Sequence, residues 1–207
     1  MKAVLSLLLA YVAITGSKSI SDDAAEDSVY NVTIEGCGTA KFVNFDDLNK
    51  TTLVNIQKSM CLNLPKAIEA VDTDPERYRK WFGEHSKSRS DLVKRNLQKL
   101  YDGLTKTTLV YQNFQMLCDF AGSTAHSGGP ILKVMFTCPL LYTLSPFCAG
   151  KKQKTMEGII LREWMFAFAF TYPSGIGSDI ARIKARDNPD KAVKIGDNYE
   201  YFYCNTE

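Results

Sequence analysis

The chain has 207 residues, with 25 Lys and Arg against 23 Asp and Glu. That near-balance leaves no basic field for a polyanion and argues against nucleic-acid binding, or attachment to a membrane surface, through bulk charge. Six cysteines without a Cys-x-x-Cys pair argue against a zinc ribbon and for three disulfides in an oxidising compartment.

Lys2 precedes an apolar run, AVLSLLLAYVAI, and a small-residue zone, TGSKS. This reads as a signal peptide over 1–19, cleaved between about Gly16 and Ser19, because the run is short and lacks a basic stop-transfer flank. Its removal takes Lys2 and Lys18 and leaves equal numbers of acidic and basic side chains. Residues 20–29, ISDDAAEDSV, read as a mobile acidic leader to the single domain expected over 20–207. Asn31 and Asn49 each stand in an N-x-Thr glycosylation triplet, in keeping with secretion.

Tyr30 to Ile34 alternates like a strand and ends at Gly36-Cys37-Gly38. Asp46 to Val71 carries Leu48, Leu53, Ile56, Met60, Leu64 and Ile68 at helical spacing, with Pro65 a candidate break. Asp74-Pro75 opens a second helix bearing Tyr78, Trp81 and Phe82, and Ser88 to Leu104 forms a third with an amphipathic stripe. These aromatics and leucines belong to a core rather than to a ligand site.

From Thr107 the composition turns β-branched and aromatic, in 107–120 and again in 131–144, which predicts two or three strands. The segment Gly122 to Pro130 between them reads as a turn-rich connection. Lys154 to Pro173 is then the longest apolar run outside the N-terminus. Its apolar side chains encircle a helical wheel, so it is expected as a helix buried on most sides and stopped by Pro173 and Gly175. Past Lys154 at its start, only Glu157, Arg162 and Glu163 are charged in it, and a buried Arg-Glu step marks a site or the relic of one. The C-terminal stretch from Ser178 reads as two short helices divided at Asn188-Pro189. The whole fits one α+β domain.

Catalytic templates are poorly matched. Two histidines, His85 and His126, fall in different elements and read as a surface residue and a loop residue. Ser127-Gly128-Gly129 is no nucleophile elbow, and bridged cysteines leave no thiol nucleophile. The paired acids Asp22-Asp23 and Asp46-Asp47 sit in polar, solvated stretches.

Several segments in one order nevertheless resemble a known family. Trp81-Phe82-Gly83, Cys138-Pro139 through Cys148, the central helix, and Asp197-Asn198-Tyr199-Glu200-Tyr201-Phe202 are similar to the deuterolysin and peptidyl-Lys metalloendopeptidase family, the secreted fungal zinc peptidases called aspzincins. The resemblance runs from about Leu53 to Phe202 and implies a zincin-like α+β fold, helices around a small, mostly antiparallel sheet. It also implies the bridges Cys37–Cys61, Cys118–Cys138 and Cys148–Cys204.

The family's central helix carries HExxH, two zinc-binding imidazoles and a glutamate that activates the metal-bound water. Here that pentapeptide is Arg162-Glu163-Trp164-Met165-Phe166, with the glutamate kept and both imidazoles gone. Downstream, Gly175 to Ile183 keeps a glycine and Asp179, the expected third ligand, while Arg182 stands where the family has a tyrosine. The resemblance therefore implies a vestigial site of Arg162, Glu163, Phe166, Asp179 and Arg182, with no cofactor. Arg162 is expected to pair with Asp179, with Arg182 as a second partner, and Phe166 and Phe170 to enter the former metal pocket.

The function implied is a secreted, extracellular, monomeric pseudo-peptidase that binds an unidentified protein or peptide, with a host protein one candidate and neither nucleic acid nor membrane involved. Two other classes stay open. One is an active metalloendopeptidase with an unorthodox oxygen-ligand site using Asp179 and Glu163, with zinc as cofactor only under that reading. The other is a structural secreted protein with no cleft ligand.

Overall fold

A computed structural model describes residues 28–113, 118, 124–148, 154–172 and 175–205. The signal-peptide span, most of the acidic leader and Pro173 lie outside them. Five strands form one sheet in the order β1-β2-β3-β5-β4: β1 Val29–Ile34, β2 Gly38–Val43, β3 Thr108–Asn113, β4 Ala125–Ser127 and β5 Val134–Thr137. The α+β, zincin-like architecture holds, but the sheet is mixed rather than mostly antiparallel. β2, β3 and β5 run parallel, and antiparallel β1 and β4 close the two edges. The parallel step from β2 to β3 needs a crossover, supplied by three consecutive helices: α1 Asp47–Thr73, α2 Pro75–Phe82 and α3 Lys87–Lys106.

Each of these helices is started by its own sequence. The side chains of Asp46, Asp74 and Ser86 accept hydrogen bonds from the backbone N–H groups of Asn49, Arg77 and Arg89. Pro65 does not break α1: it lies on the exposed face, while Leu53, Ile56, Met60 and Leu64 are buried on the other and hold the helix continuous. Two short strands went beyond the expectation. β2 follows a tight turn from β1, and β4 lies inside the segment expected as a turn, just ahead of a single-turn helix, α4 Gly129–Leu132.

The central helix, α5, runs Met156–Ala169, and every residue but Phe166 and Phe168 is buried. Thr155 caps its start through the Gly158 N–H, and Phe170, in a left-handed conformation, ends it. Trp164 stacks edge-on against Tyr111 of β3, its indole N–H donating to the phenol oxygen at 3.3 Å. Beside it α5 meets α3 at close range, where a Cβ added to Gly103 would stand 2.6 Å from the Phe168 ring. Gly103→Ala is therefore expected to destabilise by about 1–3 kcal/mol through overpacking, read as a lowered urea midpoint with unchanged m.

The C-terminal region forms three helices rather than two: α6 Gly177–Asp187, α7 Pro189–Ala192 and α8 Gly196–Tyr203. α8 is buried throughout, and the Arg77 guanidinium donates to the carbonyls of Phe202 and Tyr203 at its end. The disulfides are Cys37–Cys61, Cys118–Cys138 and Cys148–Cys204, the pairs the resemblance implied. The third ties the approach to α5 to the end of α8, and Gly158 leaves room for it, since a Cβ there would lie 3.2 Å from the Cys204 sulfur.

Candidate functional site

Adjacent residues of a helix point in different directions, yet Arg162 and Glu163 are both buried and joined. The Arg162 Nε and Nη2 each donate to Glu163 Oε1 at 3.3 Å. On its other side Arg162 Nη1 donates to Glu200 Oε2 at 3.3 Å and stands 3.7 Å from Asp197 Oδ1. Glu200 and Asp197 come from α8, where a spacing of three puts them on one face. Gly196 permits the approach, because a Cβ there would sit 3.1 Å from the Arg162 side chain. One guanidinium thus bridges α5 and α8.

Three carboxylates around one cation leave excess negative charge in a buried place. Burial raises the Glu200 carboxyl to about 7, with Asp197 adding to the rise and Arg162 opposing it. Burial also raises Glu163, against Arg162 and a hydrogen bond from the Ser127 N–H. Asp197 is held differently: its two oxygens accept from the N–H groups of Gly175 and Ile176 and fix the chain entering α6.

The Ser127 contact closes the space between α5 and the sheet edge. In the β4–β5 ladder, Gly128 N–H and Thr124 C=O bond inward to β5, so the Ser127 N–H faces outward, and it donates to Glu163 Oε2 at 3.2 Å. The outward N–H that an added strand would use at this position is already taken by Glu163. His126, expected in a loop, is a β4 residue whose charge bears on Glu163. His85 is exposed and packs on the Tyr78 ring.

Of the five residues expected together, Arg162 and Glu163 meet and Asp179 does not join them. Asp179 stands in the first turn of α6, 80% exposed at its side chain, and pairs with Arg182 one turn on. The expected Arg162–Asp179 contact is replaced by Arg162 with Glu163, Glu200 and Asp197, since α6 turns only Ala181 and Ala185 inward. Phe166 is half-buried against Gly129, which a Cβ would bring to 3.2 Å from its ring. Phe170 is 66% exposed and enters no pocket, because the left-handed residue ending α5 swings it outward. Asp197, Glu200 and Ser127 were missed. The available signal was two acids three apart in an otherwise aromatic segment, whose helical face must be paired if it is buried.

A second buried carboxylate, Glu157, is fully engaged elsewhere. It accepts from Ser59 Oγ and Tyr203 Oη at 2.7 and 2.6 Å and from the Cys148 N–H at 2.9 Å, beside the Cys148–Cys204 bridge. Glu157→Gln is expected to cost about 1–3 kcal/mol by weakening charge-assisted bonds in a buried place, measurable by thermal unfolding.

A model of the lysine-specific metallo-endopeptidase family matches residues 67–204. Among solved structures, a zinc peptidase from Grifola frondosa has a TM-score of 0.67 at 19% sequence identity, over 78% of this chain and 97% of that one, which is a likeness of fold. No curated protein matches the chain.

Proposed function

The chain belongs to the lysine-specific metallo-endopeptidase (aspzincin) family, and on that premise we propose that it is a secreted, non-catalytic member that acts by binding a protein or peptide. The zinc that the family implies does not fit the residues present. A guanidinium has no lone pair to give a metal, and a phenyl ring has none, so neither Arg162 nor Phe166 replaces an imidazole. Asp179 faces solvent, and the carboxylates that do converge surround Arg162. Among the described residues, no group of three or more His, Cys, Asp or Glu is placed to hold a metal ion.

The observation that carries the reading is Glu163. The side chain that would serve as general base accepts from Arg162 on one oxygen and from the Ser127 N–H on the other. Both oxygens are committed to the protein, and among the described residues no group that could hold a metal stands by to activate a water. An oxygen-only metal site on Asp179 and Glu163 has no support, since the two do not stand together.

Secretion rests on the N-terminal segment, the three disulfides and the glycosylation triplets. Asn31 is exposed on edge strand β1, whereas the Asn49 amide is bonded to Asp46, so Asn31 is the better acceptor for a glycan. No helix of the described residues is long and apolar enough to cross a membrane. The partner is sought outside the cell, host proteins included.

The reading is tested by incubating the secreted protein with a library of lysine-containing peptides and recovering the bound fraction for mass spectrometry. Peptides recovered bound and intact are the expected result. New termini beside lysine would refute it.

A further inference from the structure

Asp179 and Arg182, which do not reach Arg162, line a different feature: a groove of 440 Å³ between α2 and α6, completed by Arg79, Lys80, Ile183 and Arg186. Four cations and one carboxylate meet there, on a chain otherwise close to charge balance. The groove's apolar lining is Ile183, 46% exposed, and Ile180, 48% exposed, lies beside it on the helix just outside the groove.

The fold accounts for only part of this. Arg79 and Lys80 lie in the last turn of α2, and Arg186 in the last turn of α6, where the helix dipole favours cations by about 0.3–1 kcal/mol each. That leaves the exposed isoleucines Ile180 and Ile183 unexplained, because α6 packs inward through Ala181 and Ala185 alone. The ion pairs in place are weak competitors: Arg186 with Asp187, Arg182 with Asp179 and Arg79 with Glu84 all involve well-exposed carboxylates.

The helices that wall the groove are tied together. Its two walls are locked by Asn198, whose buried amide donates to the carbonyls of Trp81 and Ala181. α6 and α7 approach the end of α2 so closely that a Cβ on Gly83 would lie 2.1 Å from the Ala185 carbonyl oxygen and 2.7 Å from Pro189. Guanidinium groups carried on fixed helices beside an apolar side chain can take a carboxylate and an aliphatic group together.

We propose that the α2–α6 groove is a docking site for an acidic peptide segment carrying an aliphatic anchor, its carboxylates taken by Arg79, Arg182 and Arg186 and its anchor by Ile183. This rests on the reading of the protein as a binding module and locates the binding surface away from the closed space at Glu163. A sulfated glycan would use the cations but not Ile183, which is why the peptide is favoured.

The test uses the secreted protein and a fluorescein-labelled decapeptide of Asp and Glu with two leucines, followed by anisotropy. The peptide is expected to bind, and the Arg182→Glu, Arg186→Glu double variant to bind it at least about tenfold more weakly through like-charge repulsion. Ile183→Ser, a change at an exposed site, is expected to weaken it roughly threefold or more by removing apolar contact. A peptide with Asn and Gln in place of its acids should not bind. Failure of the acidic peptide to bind overturns the proposal. So does equal binding of a sulfated oligosaccharide with no effect of Ile183→Ser, or self-association abolished by the double variant without peptide binding. Peptide cleavage that Glu163→Gln abolishes would instead refute the non-catalytic reading and leave the groove measurement standing.

Discussion

Arg162→Ala is expected to lower the unfolding free energy by about 3–5 kcal/mol, the usual cost of removing one partner from a buried ion cluster. The loss does not come from the missing guanidinium contacts alone. Glu163, Glu200 and Asp197 are all buried, and Arg162 is the cation that ion-pairs with all three, so its loss leaves them poorly offset. Adding Glu200→Gln to Arg162→Ala removes one stranded charge, so the double variant is expected to be more stable than the single. Strictly additive losses in urea unfolding would mean that the cluster is not an electrostatic unit. The same variant should recover partly in acid, where the stranded carboxylates bind protons.

Stability is expected to fall as the pH rises from about 4.5 to about 7, the reverse of the usual behaviour of a protein with paired carboxylates. The Glu200 carboxyl is raised by burial to about 7 in the folded protein from 4.5 when free. Between those values the native state holds the proton more tightly than the unfolded chain, so each step up in pH favours unfolding. The contribution is fully present below about 4.5 and lost above about 7. At ~1.4 kcal/mol per pKa unit its whole range is on the order of 3 kcal/mol, and Glu163, raised in the same direction, adds to it. Urea midpoints at pH 5 and pH 8 measure it, and Glu200→Gln is expected to flatten the difference. A midpoint that rises over this interval, or a slope unchanged in Glu200→Gln, would contradict the protonation of the cluster.

The helices were legible because each announces itself locally. Asp46, Asp74 and Ser86 cap their starts, and the apolar spacing of Leu53 to Leu64 and of Val93 to Leu104 marks the buried faces. The encircling apolar pattern of 156–169 likewise identified the buried helix. The sheet was less legible. β4 is three residues long, too short to show alternation, and β2 buries only Ala40 and Phe42 just after a glycine-rich turn. Whether strands run parallel depends on how a crossover of three helices returns the chain, which no local pattern records.

At the site, the pair Arg162-Glu163 could be read directly, but its partners lie more than thirty residues on. The family pattern pointed to Asp179, whereas burial decides otherwise, since α6 turns its alanines inward and its Asp outward. Asp197 and Glu200 could have been found by asking which acids on a wholly buried aromatic helix require a cation. The left-handed Phe170 and the outward Ser127 N–H depend on tertiary geometry and had no signal in the sequence.

On the proposed reading, the ion cluster around Arg162 stands where the family's helix carries its zinc ligands. The most direct measurement is zinc content by mass spectrometry on the purified secreted protein after dialysis against zinc buffer, with cleavage of a lysine-containing peptide followed in the same sample. On that reading, well under one zinc per chain and no cleavage are expected, in the native protein and in Glu163→Gln alike. One zinc per chain, together with cleavage that Glu163→Gln abolishes, would contradict it.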